Sequence, residues 1–491
     1  MTRSFSIFLL LVFSCLLLFN GETIAQDKKK KKKRGKQKKS ELIQSDSLLN
    51  IQNDIIKLNL INDSLKIANN DSTKYDNADS LVDKEEIIEI DYIDESNRIL
   101  NSSIKTVLFH RNGWDLSPPL IRFNTDEKLK LSFDDLDGDV KEYIYTIVHC
   151  NANWEPSDLR QDQYIDGYYE DYIYDHSFSM NTIQPYTHYE LIFPSEDLEP
   201  KISGNYILKV FVEEEDSLYF TRQFMVMKPK VEIEGEVKQA TMIKDRNYMQ
   251  EVDFSFNANS YRIANAYHDL KVIVIQNGRW DNALKDLKPK MVIGNTYDYN
   301  YDFENVFDGG NEFRAFDVKS LTYNTENVIQ IEQSYEGYNI YLRELERRTF
   351  QVYKSEDDID GQMKIKTEDY QITETEAEYV NIHYFLPYAA PMVDADIYII
   401  GQLTDWRYSE DSKMAYNYKR KGYEKTMLLK QGYYNYQYIL KYHNQSVGDV
   451  SFIEGNHWET GNSYTIFVYN RELGHDYDSL IGVKHIKSSY E

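Results

Sequence analysis

The chain is predicted to be all-β, a tandem of β-sandwich domains carried behind a disordered N-terminal tether, on three observations. From Ile104 onward, short β-branched and aromatic runs alternate with turn residues at sandwich-like spacing, as in IKTVLFHR, LKLSF, EYIYTIVHC, YELIFP and GNYILKVFVEE. Long helical periodicity is scarce there, and DYIYDHSFS and NTIQPYTHY read as loops carrying aromatics. Residues 40–98 instead are rich in Ser, Asn, Asp and Lys, with Tyr75 and Tyr92 as their only aromatics. Such a composition buries too little apolar surface to offset the entropy of ordering the chain.

The first element, residues 1–25, reads as a secretory signal. Arg3 supplies a positive n-region, Phe5 to Phe19 the apolar stretch, and Thr23-Ile24-Ala25 the small-residue cleavage site. That apolar run falls short of the roughly 20 residues that span a bilayer, so the mature chain is expected to carry no transmembrane segment. Residues 26–100 form the basic run and tether. Ten Lys and Arg lie between Lys28 and Lys39, a tract suited to peripheral contact with anionic lipid or lipopolysaccharide. Asp-Ser-Leu recurs at Asp46, Asp63 and Asp79, which makes Ser47, Ser64 and Ser80 candidate O-glycosylation sites; the tripeptide resembles the acceptor used by periplasmic enzymes of some Gram-negative bacteria.

The folded body divides, on composition, into sandwich domains over 101–228, 229–354 and 370–485. Pro229 marks the first boundary and the charged stretch SEDDIDGQMKIKTED the second. Alternation of Tyr434, Tyr436 and Tyr438 lines one strand face with rings, the pattern of a packed sandwich face.

Chemistry-bearing motifs are few. LSFDDLDGDV concentrates four aspartates and Gly138 within six residues. As a helix-flanked calcium loop it fails, because Phe133 and Ile144 fall where ligands are required. Asp137-Gly138 between two β-rich runs signals a hairpin turn, and Asp135, Asp137 and Asp139 are retained as partner-binding candidates. The sequence carries no zinc-protease, nucleophile-elbow or phosphate-loop motif, so neither a catalytic residue nor a cofactor or metal site is expected. Once the signal takes Cys15, Cys150 stands alone. His149 beside it points to the opposite strand face. The net charge of −25, concentrated in the body beyond the basic run, disfavours nucleic acid as a partner.

Two resemblances extend this reading. IYIIGQLTDW, KQGYYNYQYIL and ETGNSYTIFVYN in the third block resemble immunoglobulin-like modules that bind starch and glycogen, which implies Trp406 as a sugar-stacking residue and an exported carbohydrate-binding protein as the alternative function. The ordered series IKTVLFHRNGWDLSPPLIRF, LSFDDLDGDVKEYIYTIVHCNANWEPSDL, YIDGYYEDYI, NTIQPYTHYELIFP and SGNYILKVF, with GGNEFRAFDVKSL later, resembles the plug proteins of the type IX secretion system from about residue 100 onward. That resemblance implies a non-enzymatic periplasmic protein at the inner face of the outer membrane. There it would bind and seal the periplasmic opening of the translocon barrel.

Overall fold

A computed structural model describes residues 97–213 and 217–488. The signal, the basic run Lys28–Lys39 and the candidate serines Ser47, Ser64 and Ser80 lie outside the described residues. Within them the chain is nearly all β, as its alternating runs predict, and folds into three sandwiches.

In the first sandwich, one sheet runs Arg98–Ile99, Leu218–Met227, Gly204–Val212, Tyr143–Cys150 and Asp171–Ile173 in order. The other runs Ile104–Arg111, Leu129–Asp135, Thr187–Phe193 and Asp175–Phe178. Alternate residues of both sheets face one core, where Leu131, Phe133, Tyr145, Tyr189, Leu208 and Phe224 are buried. Phe133 stacks on Tyr189 with ring centroids 5.1 Å apart. DYIYDHSFS, expected as a loop, supplies the edge strands Asp171–Ile173 and Asp175–Phe178, one to each sheet. Their side chains are mostly solvent-exposed, so the inward-outward contrast that marks a strand is nearly absent. The Asp-Gly turn forms, with Gly138 at φ 70°. It is not a hairpin: Leu129–Asp135 and Tyr143–Cys150 lie in opposite sheets, so the turn crosses between layers.

The second and third sandwiches depart from the predicted blocks 229–354 and 370–485. In the second, Glu232–Gln239, Met249–Asn257, Thr296–Asp298 and Met291–Ile293 form one sheet. The facing sheet is Arg279–Leu284, Leu270–Gln276, Ser463–Asn470 and Ser479–Lys487. Leu270 pairs with Asn470 and Gln276 with Tyr464, so the last two strands of the chain complete this domain. The third sandwich, built from Arg314–Asp317 through Gly432–Tyr442, is therefore inserted into the second. Its core holds Tyr434, Tyr436 and Tyr438 on one face of a single strand, as their alternation predicts. The outgoing and returning segments clasp each other: His457 N donates to Gly310 O at 2.8 Å and Gly310 N to Asn456 Oδ1 at 2.9 Å. A side chain at Gly309 would lie 2.0 Å from the His457 carbonyl oxygen, so only glycine permits this approach.

The first and second sandwiches share an apolar seam containing Cys150, Trp154, Met225, Ile275, Phe467 and Leu480. Burial there pushes the Cys150 thiol up to about 12, which leaves it unreactive.

Candidate functional site

The aspartates of LSFDDLDGDV separate into distinct roles. Asp135 is fully buried; its Oδ2 accepts from Tyr143 Oη at 2.9 Å and Lys141 Nζ at 2.5 Å. Lys141 also lies 2.5 Å from Asp137 and 3.5 Å from Asp139. The three carboxylates present oxygens within 4.8 Å of one another, an arrangement that could surround a cation. An internal ammonium already occupies that role. Burial alone would lower Lys141, but its carboxylate partners outweigh this and hold it well above its ordinary value. Of the three candidates, only Asp137 and Asp139 are exposed.

Asp134, the neighbour not singled out in the sequence, is the stronger structural residue. It sits on the outward face of Leu129–Asp135, yet is fully buried because the third sandwich covers that face. Its Oδ2 accepts from Lys430 Nζ at 2.7 Å and Tyr379 Oη at 2.6 Å, while Oδ1 lies 2.6 Å from His188 Nδ1. Burial would raise the carboxyl, but Lys430 and His188 together hold it below its ordinary value. Burial likewise lowers the Lys430 ammonium, and Asp134 opposes that. For His188, burial is outweighed by hydrogen bonds to Asp134 and Glu190, so its ring is raised. A second bridge joins the same two domains: buried Arg222 donates to Asp405 Oδ2 at 3.1 Å.

Trp406 also belongs to this junction. Its ring lies over Gly361, makes an edge contact with Phe313 at 5.9 Å, and has the Arg279 guanidinium 5.9 Å from its centroid. These contacts come from the second and third sandwiches, so Trp406 packs a domain boundary.

The most exposed apolar feature of the first sandwich is the edge missed in the sequence. Tyr168, Tyr174 and Phe178 are 69%, 72% and 55% exposed, and Tyr169, Tyr172 and Met180 lie beside them on the surface. Tyr172 and Tyr174 rings are 5.9 Å apart. The segment is held rather than free: Thr146 Oγ1 donates to Tyr169 O at 2.7 Å and Tyr145 Oη to Asp171 Oδ2 at 3.0 Å. Exposed Asp166, Glu170 and Asp175 make the strip acidic as well as aromatic. Rings displayed on edge strands and on the short segments joining them suit contact with another polypeptide, both through their faces and through unpaired backbone groups. No sequence periodicity marks them; the density of Tyr in YIDGYYEDYIYDHSF is the one available signal.

The described chain is thus a multi-sandwich β protein with an exposed aromatic edge on its first domain. Residues 104–228 match the family described as type 9 secretion system plug protein, first domain. A solved structure of a hypothetical protein from Parabacteroides merdae is 36% identical, with a TM-score of 0.78, covering 80% of this chain and 99% of that one. The chain belongs to the type 9 secretion system plug protein family. The C-terminal domain of the Streptococcus agalactiae polypeptide BspA is 8% identical, with a TM-score of 0.14, over 78% of this chain and 98% of that one. No curated protein matches. The family is a component of a secretion system and implies a place in the cell envelope. No helix among the described residues is long and apolar enough to cross a membrane.

Proposed function

We propose that this chain is a non-enzymatic periplasmic subunit that binds the type IX outer-membrane translocon and seals its periplasmic opening. The observation that carries the reading is the family match over 104–228, the domain that displays the aromatic edge at Tyr168–Met180. A seal needs an interface on the order of 1,000 Å² or more, and rings fixed on edge strands supply contact area at low entropic cost. Asp137 and Asp139 stand as further contacts, and the basic run Lys28–Lys39 as a peripheral anchor to anionic lipid or lipopolysaccharide. Ser47, Ser64 and Ser80 are proposed as glycan carriers, which mass spectrometry of the exported chain tests directly. The deciding experiment is affinity purification of the translocon barrel from cells lacking its lateral gate partner. The chain is expected among the retained proteins, and its consistent absence would end the reading.

A further inference from the structure

The sheet made of Ile104–Arg111, Leu129–Asp135, Thr187–Phe193 and Asp175–Phe178 has two edges of different build. Ile104–Arg111 is broken by an irregularity between Lys105 and Leu108, with Thr106 in left-handed backbone at φ 51°. A bulge and a lysine of this kind blunt an edge against the approach of another strand. Asp175–Phe178 has neither. Its register against Thr187–Phe193 is regular from Asp175–Glu190 to Phe178–Thr187, and it contains no lysine or proline.

That register shows which backbone groups are open. Ser179 N donates to Tyr186 O at 2.9 Å, in frame with the pairs before it. Hydrogen-bonded pairs alternate along an antiparallel ladder, so Asp175 and Ser177 also turn their N–H and C=O groups to the neighbouring strand. His176 and Phe178 turn theirs outward, and no further strand lies on that side. The segment is held in place at both ends. Met180 N donates to Thr375 O of the third sandwich at 2.8 Å, and Tyr145 Oη donates to Asp171 Oδ2 at 3.0 Å.

The side chains divide by face. His176 lies opposite the core residue Tyr189, with ring centroids 5.7 Å apart, and its ring is 6.2 Å from that of Phe178. These two rings prolong the core side of the sheet past its last strand, yet both are exposed. Asp175 points to the other face. Just upstream stand Asp166 and Glu170, and Asp166 lies directly across from Glu199, a like-charge pairing that a ladder disfavours. No ion pair engages Asp166, Glu170, Asp175 or Glu199 among the described residues.

We propose that the outer edge of Asp175–Phe178 takes up an extended segment of the translocon as an added strand, one in which apolar residues alternate with lysine or arginine. Main-chain bonds to His176 and Phe178 hold the segment, and the alternation of side chains selects it. Residues opposite His176 and Phe178 fall on the core side, where an apolar side chain covers the two rings. Their neighbours fall on the side of Asp175, where a cation meets an unpaired carboxylate. The same acidic guard turns away a second copy of this chain, whose net charge is −25. The inference rests on translocon binding and names how that contact is made.

The test is calorimetric titration of the mature full-length protein with three blocked heptapeptides: KVKVKVK, EVEVEVE, and KVKVKVK methylated on its valine nitrogens. Valines opposite His176 and Phe178 aim their N–H groups at the edge, so methylation removes those bonds and keeps every charge. Saturable one-to-one binding of KVKVKVK is expected, with the other two peptides weaker by about fivefold or more. Phe178→Pro removes an outward N–H without touching the internal ladder. It should weaken KVKVKVK about fivefold or more with the melting temperature retained. Asp175→Lys should weaken KVKVKVK and strengthen EVEVEVE. Should Phe178→Pro fail to fold, the methylated peptide still decides on the wild-type protein. Equal binding of the methylated peptide overturns the proposal, as does unchanged binding by the folded variants or a wild-type dimer that Phe178→Pro dissolves. Purification with the translocon barrel separates the two readings. Absence of the wild-type chain ends translocon sealing, whereas a Phe178→Pro chain retained as fully as the wild type overturns strand addition alone.

Discussion

At the residue scale, the junction between the first and third sandwiches turns on Asp134. Lys430 and Asp134 are both almost fully buried, so Lys430→Met strands a carboxylate out of water and is expected to cost about 3–5 kcal/mol in urea unfolding. The same cluster sets a pH window. His188, raised above its ordinary 6.5, adds stability that is complete below that value and is lost as pH rises through the folded one. Asp134, lowered, adds stability that is complete above the ordinary carboxylate value and is lost as pH falls through the folded one. The melting temperature is therefore expected to decline as pH rises above the ordinary histidine value of about 6.5, and His188→Gln to flatten that decline. Lys141 yields another outcome. Millimolar calcium should leave the wild-type melting temperature unchanged and raise that of Lys141→Ala, whose three carboxylates lose their internal cation. The sequence marks the aspartates but not their roles. Asp134 and Asp135 alternate along one strand, and only the arrival of Tyr379 and Lys430, far along the chain, distinguishes them.

At the scale of elements, strands whose alternate residues enter a core were legible. LKLSF, EYIYTIVHC and GNYILKVFV each alternate against the first core, so their hydrophobic period reports their fate. Asp171–Ile173 and Asp175–Phe178 were not, because the first buries only Ile173 and the second is exposed throughout, so the contrast on which that period depends is lost. Their exposure makes them separable from stability. A Tyr174→Glu, Phe178→Glu double variant is expected to unfold within about 0.5 kcal/mol of the wild type, as surface substitutions do. It should nonetheless fail to co-purify with the translocon barrel; undiminished co-purification would remove this edge from the interface.

At the scale of the whole molecule, sequence order misleads. SYTIFVYN reads as a strand of the third block, yet it pairs with Leu270–Gln276 of the second sandwich, nearly two hundred residues earlier. Local pattern identifies a strand but carries nothing about a partner so distant, and the inserted sandwich hides the return. A chain ending at residue 455 keeps every strand of the third sandwich but loses two of the four in one sheet of the second. Its second core, where Tyr464, Ile466, Val468 and Ile481 are buried, then lies open. Limited proteolysis of that truncation is expected to cut within residues 229–308 while sparing 314–454.

The clasp at Gly309 and His457 and the late pairing of Ser463–Asn470 also impose an order in time. A chain made N-terminus first can close its first sandwich early, but the second waits for the final strands, and non-local pairing is slow to nucleate. Folding of the second sandwich is thus gated by the last two strands, and a chain cut short before them cannot complete the three-domain junction.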